Sequence, residues 1–153
     1  HVGRRGLDSN LMSYHPYLFG TWVPVVNIVG GGGNTVPVYT TNSGTYTRIG
    51  RAVFFNILLS GDGGAEGAGT GVLTVSLPFT TAASQLDVTV LGGTMINGAV
   101  EHILFGHYTA SVATMTLARD TIVSNNIEHA DCTGASQNNT TRSIQFQGKF
   151  LIQ

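Results

Sequence analysis

The chain has 153 residues, enough for one domain with a buried core and marginal for two. Only 10% of its residues are charged, yet 42% are apolar, which excludes a disordered polyelectrolyte. A net charge of −1 leaves no basic footprint for nucleic acid. No apolar run approaches the roughly 18 residues of a helical span, so membrane insertion is not expected.

The residues point to an all-β fold. Glycine is abundant, at 21 residues, and Lys149 is the single lysine. Thr, Val, Gly and Asn stand where a helical protein would use Glu, Lys, Ala and Leu. Cys132 is the only cysteine, so no internal disulfide can form. So little surface charge gives weak self-repulsion, and some surface is expected to be hidden in an assembly. The chain begins with His1 and not Met, the expectation for a fragment or processed piece.

Residues 1–19, "HVGRRGLDSNLMSYHPYLF", hold neither a period of 2 nor one of 3.6, and read as a neck. The domain then spans residues 20–153. "GTWVPVVNIV" reads as an edge strand, because Pro24 lacks an N–H. "GGGGN" is a turn, with a short strand expected through Val38 and Tyr39. "TYTRIG" reads as a register-setting turn, with Tyr46 capping the core, Ile49 tucked in and Gly50 permitting the bend. In "AVFFNILLS", Val53, Phe55, Ile57 and Leu59 share one face while Phe54 and Leu58 populate the other. That strand is expected to be central and covered on both sides.

Alternation continues through Leu73, Val75 and Leu77, with Thr74 and Ser76 facing out. It recurs in Leu86, Val88 and Val90, and in Ala113, Met115 and Leu117. Ile144, Phe146, Phe150 and Ile152 close the chain. "MTLARDTIVSNNIEHA" admits a helical stripe, but its Thr, Val and Asn content favours strand. Short strands between Gly, Thr, Ser and Asn turns predict an antiparallel sandwich or barrel.

Few residues invite chemistry. The glycine tracts lack the Lys-Ser/Thr pair and helix of a phosphate loop. Asp62 and Glu66 are too few for calcium. His102 and His107 are five apart and would face opposite sides of one strand, and "HADC" has no second ligand pair. No Gly-x-Ser-x-Gly elbow occurs, and no carboxylates pair. No catalytic residue, metal or cofactor is expected. One route to a metal stays open, through copies of one histidine meeting on a threefold axis. Trp22, Tyr39, Tyr46 and Tyr108 sit near expected strand ends, where rings either stack on sugar or cap the core.

"GTWVPVV", then "VYTTNSGTYTRIGRAVFFNILLS" and "GTGVLTVSLPF", resemble the C-terminal domain of bacteriophage tailspikes and tail fibres over residues 20–79. "GKFLIQ" resembles it loosely, and residues 80–142 not at all. The resemblance implies a jelly-roll-like β-sandwich at the tip of a homotrimer in the virion, acting outside the host cell. Its implied work is to lock three chains together and bind host cell-surface polysaccharide, any depolymerase lying in an upstream β-helix-like domain. Trp22, Tyr39, Tyr46 and Tyr108 are then the carbohydrate candidates, and Arg48, Arg51, Phe54 and Leu58 the subunit-interface candidates. The alternatives are a free-standing lectin-like module or a sugar-ester hydrolase domain on the same strands.

Overall fold

A computed structural model describes residues 17–123 and 126–153, so most of the expected neck lies outside the described residues. Among the described residues the fold is all-β apart from one turn of 3-10 helix at Gly134–Gln137. Ten strands follow in chain order: β1 (Tyr17–Trp22), β2 (Val26–Val29), β3 (Thr41–Ile49), β4 (Ala52–Asp62), β5 (Val72–Ser76), β6 (Val88–Asn97), β7 (Val100–Tyr108), β8 (Thr114–Val123), β9 (Asn126–Asp131) and β10 (Thr141–Leu151). All pair antiparallel in one sheet of order β1-β3-β4-β10-β6-β7-β8-β5-β2, with β9 on β8.

The two ends of that order are consecutive in the chain, so the sheet curls until they meet. Buried Pro24 forms the corner between β1 and β2. Ser76 on β5 ties the corner down, accepting from Trp22 Nε1 at its carbonyl (3.2 Å) and from the Val25 N–H at its hydroxyl (2.8 Å). "GTWVPVVNIV" is therefore two strands at opposite ends of the sheet. The proline breaks the run because it can neither donate to a ladder nor leave its fixed φ.

The curl encloses one core. Val53, Phe55, Ile57 and Leu59 on β4 face Leu73, Val75, Met115 and Leu117 on β5 and β8, all buried. Ile144, Phe146, Phe150 and Ile152 at the chain end are also buried, as their alternation predicts. Phe55 sits 5.9 Å from Phe146 and 5.6 Å from Phe150 between ring centroids, within aromatic contact range.

Two similar tripeptides set the β1–β3 register. Gly20-Thr21-Trp22 on β1 pairs with Gly44-Thr45-Tyr46 on β3 so that Gly20 opposes Tyr46 and Trp22 opposes Gly44. A Cβ on Gly20 would meet the Tyr46 ring at 2.3 Å, and one on Gly44 the Trp22 ring at 2.6 Å. Each aromatic folds over the other strand's glycine, which leaves room for only one register.

Several expectations need correction. "TYTRIG" is strand, not turn; the turn comes at Gly50, whose φ of 60° suits glycine, and Ile49 is exposed rather than tucked in. Val38 and Tyr39 form no strand, because the side chain of Arg142 takes the Val38 carbonyl that a ladder would use. Tyr17–Phe19, assigned to the neck, belong to β1. Leu86 is exposed and precedes β6, and Ala113 is exposed before β8, while Thr74 is buried under neighbouring strands. Phe54 and Leu58 are 44% and 39% exposed, since among the described residues no second layer lies over the outer face of β4. "MTLARDTIVSNNIEHA" is the β8–β9 hairpin, as its composition favours; residues 124 and 125 lie outside the described ones.

Candidate functional site

Strand pairing arranges the outward residues of β1, β3, β4 and β10 in straight rows. Phe19, Thr47, Phe54 and Lys149 form one, and Tyr17, Ile49, Ala52 and Leu151 the next. On the other side run Thr21, Thr45, Asn56 and Gln147, then Ser43, Leu58 and Gln145. Phe19 is 69% exposed and Tyr17 56%. Lys149 is the one charge in these rows, and its Nζ lies 5.8 Å from the Phe54 ring centroid. With strands about 4.8 Å apart and residues about 3.3 Å apart, the rows cover on the order of 500 Å².

Beside this face, β10 and β6 part company. Their pairing stops at Phe146 and Gly93, and β6 bulges between Leu91 and Gly93. A groove of about 590 Å³ opens there, lined by Phe54, Leu86, Val88, Leu91 and Lys149 among others. Two side chains replace the missing ladder on β10. The Tyr108 hydroxyl donates to the Lys149 carbonyl, and the Leu151 N–H donates to Gln85 Oε1 at 2.8 Å.

The aromatic candidates lie largely within the fold. Tyr108 is buried, and burial raises its phenol pKa above the ordinary value against the opposing hydrogen bond. Tyr39 donates to Gln137 Oε1 at 2.8 Å beneath the Arg142 guanidinium, and burial lifts its pKa also. Trp22 and Tyr46 are half-buried, 6.4 Å apart and packed on the core. These four residues do not form one continuous surface; Tyr108 belongs to the core, and Trp22, Tyr39 and Tyr46 pack against it.

The interface candidates divide. Phe54 and Leu58 are exposed on the row face. Arg48 Nε donates to the Gly50 carbonyl and Arg51 Nε to the Ile152 carbonyl, both at 2.9 Å, so these guanidiniums brace turns of their own chain.

Sequence reasoning passed over Arg142. It is fully buried on β10, donating from Nη1 to the carbonyls of Asn139 and Thr140 and from Nη2 to those of Val38, Gly63 and Ala65. The Tyr39 ring lies 5.7 Å from its guanidinium carbon. Nothing in "TRSIQ" distinguishes such an arginine from a solvated one. Its signal is positional: residue 142 falls on the same alternating face as Ile144 and Phe146.

His102 and His107 lie on opposite faces of β7, as their spacing predicts, and each meets an aspartate. His107 Nε2 is 2.5 Å from Asp87 Oδ1, and its Nδ1 is 3.4 Å from Thr116 Oγ1. That hydroxyl is equally near the His107 carbonyl, at 3.3 Å, where it donates. A hydroxyl, an imidazole and a carboxylate in line are the parts of a nucleophilic centre, but here the hydroxyl proton is already placed on backbone. Among the described residues no three His, Cys, Asp or Glu side chains converge as a metal site.

No protein-family model, no curated protein and no solved structure matches the chain.

Proposed function

We propose that this chain is a trimerisation and host-surface carbohydrate-binding domain of the kind that tips phage tailspikes and tail fibres, a jelly-roll-like sandwich working without catalysis of its own. The observation that carries the assembly half is the row face of β1, β3, β4 and β10. Exposed Phe19, Phe54, Leu58 and Tyr17 lie there among neutral Thr, Ser, Asn and Gln side chains, with a single charge. The occupant it suits is a second copy of this chain, which presents an equally uncharged surface. The threefold number and the carbohydrate come from the resemblance of residues 20–79 to those phage domains.

Light scattering on a sizing column tests the assembly. A mass near three times 16.1 kDa that survives dilution is expected. A monomer at all concentrations overturns trimerisation and leaves the lectin-like module as the better reading.

The alternative of a sugar-ester hydrolase draws on the Thr116–His107–Asp87 line. It predicts turnover of a chromogenic acetate that disappears in His107→Ala; no turnover removes it.

A further inference from the structure

The core side of the β6–β7–β8 arm turns polar near one end. Inward positions run apolar through Met95 and Leu104, then become Asn97 on β6, His102 on β7 and Arg119 on β8. With Thr133, Ser136 and Asn138 of the following turn they line a recess of about 270 Å³. Pockets for drug-sized ligands run from about 300 Å³ upward, so this one suits a single sugar ring.

Its cation is held in place. The β7–β8 ladder ends at the Leu104–Arg119 pair, and the Asp120 carboxylate takes over by accepting from the Ile103 N–H at 2.8 Å. The same oxygen lies 3.2 Å from His102 Nδ1, which must therefore donate. His102 Nε2 is left as an acceptor, 3.4 Å from Arg119 Nη1, a group that can only donate. Nη1 also approaches the Asp120 carbonyl at 3.4 Å. Among the described residues no carboxylate touches this guanidinium, and its Nε and Nη2 make no hydrogen bond. The acid that orders it is spent on the strand gap, one imidazole away.

We propose that this recess binds the carboxylate-bearing ring of an acidic saccharide, a residue of uronic-acid type. Arg119 meets the carboxylate through the unoccupied edge of its fork, the geometry in which arginine surpasses lysine. Asn138, whose Oδ1 accepts from Asn97 Nδ2 at 2.9 Å, keeps its amide N–H groups for ring hydroxyls, beside the Ser136 hydroxyl that already accepts from the Thr133 N–H. The assignment rests on the carbohydrate half of the proposed function and names both its place and its ligand class. It also moves the site from the four aromatics to the open end of the curl.

Saturation-transfer NMR with the methyl glycosides of glucuronic and galacturonic acid, and of glucose and galactose, tests it on the whole chain. The uronides are expected to bind at least tenfold tighter than the neutral glycosides. Arg119→Gln is expected to lose tenfold or more of that affinity. Arg119 lies near buried Cys132, so Asn138→Glu, at an exposed rim position, repeats the test without touching the core. Sulfate at equal concentration should displace little uronide. Full displacement by sulfate means a plain anion site and overturns the proposal. Equal binding of neutral and acidic glycosides, untouched by either variant, overturns this site while carbohydrate binding stands elsewhere. No binding of any glycoside overturns both the site and the carbohydrate half of the function, and the mass in solution still reports separately on assembly.

Discussion

The two outer surfaces of the curled sheet are built from similar strands and carry opposite surfaces. On β1, β3, β4 and β10 the outward rows hold Tyr17, Phe19, Phe54 and Leu58 with Lys149 as their one charge. On β6 through β9 the outward positions include Glu101, His107, Asp120, His129 and Asp131. Backbone pairing is interrupted beside both, where β10 leaves β6 and where the β7–β8 ladder ends, so it does not set the difference. Side-chain charge does: ionisable groups keep the second surface hydrated around its exposed Leu91 and Ile103, whereas covering the nearly uncharged first one gains about 25 cal/mol per Å² of apolar area. Under the proposed assembly, the nearly uncharged exterior is the one that would be covered.

Charging each surface in turn breaks that comparison most sharply. Leu58→Glu puts a carboxylate in the outward rows opposite Ser43 and Gln145, away from Lys149, where assembly would bury it unpaired. The expected result is collapse of the scattering mass from about three chains to one, with the β circular dichroism kept. Thr89→Glu, on the outward face of β6, should leave the mass unchanged. If both variants behave alike, the two surfaces do not differ in what they meet.

A deeper cut, within the interior that the two arms share, should ignore the distinction. Arg142→Met removes the donor to five carbonyls, none of which can follow it to water without opening the segments around residues 38, 63–65 and 139–140. Leaving buried acceptors unpaired costs about 3–5 kcal/mol in total here, or roughly 10 °C in melting temperature. A change under 2 °C would mean that the five contacts contribute nothing net.

What the sequence made legible follows from period. Val53 to Leu59 and Ile144 to Ile152 were readable because strict alternation leaves each residue only one face. The same rule failed at Leu86, since alternation cannot tell the residue before a strand from the first residue in it. "TYTRIG" was misread because Gly50 does make a turn, and the sequence does not show that the strand before it runs right up to Ile49. The aromatics stay ambiguous for a related reason: a ring near a strand end is equally suited to sugar and to a curl that closes over it. Arg119 and His102 could not be joined from sequence, being 17 residues apart on strands whose neighbours were undetermined.

Alkali should report on the buried thiol and phenols. Burial pushes the Cys132 thiol from 9.0 up to about 12, the Arg119 guanidinium opposing it, and burial likewise raises Tyr39 above 10.0 against Arg142. The folded chain holds these protons more tightly than the unfolded one. Their stabilisation is therefore whole below pH 9 and falls as the pH rises through the raised values, each group contributing about 1.4 kcal/mol per pH unit at most. Melting temperatures are expected to be level from pH 7 to 9 and to drop beyond it, with the drop starting later in Cys132→Ala. An unchanged onset in that variant would clear the thiol.

The smallest effect belongs to the wet surface. His107 and Asp87 are close, at 2.5 Å, but their side chains are 42% and 70% exposed. Water and salt screen such a pair, and contributions of exposed pairs centre below about 1 kcal/mol. His107→Ala should shift the melting temperature by no more than about 2 °C, with the shift shrinking further in 0.5 M salt. A loss as large as that of Arg142→Met would mean that the β6–β7 end depends on this contact. The surface would then be one that tolerates no change and not merely one that tolerates water.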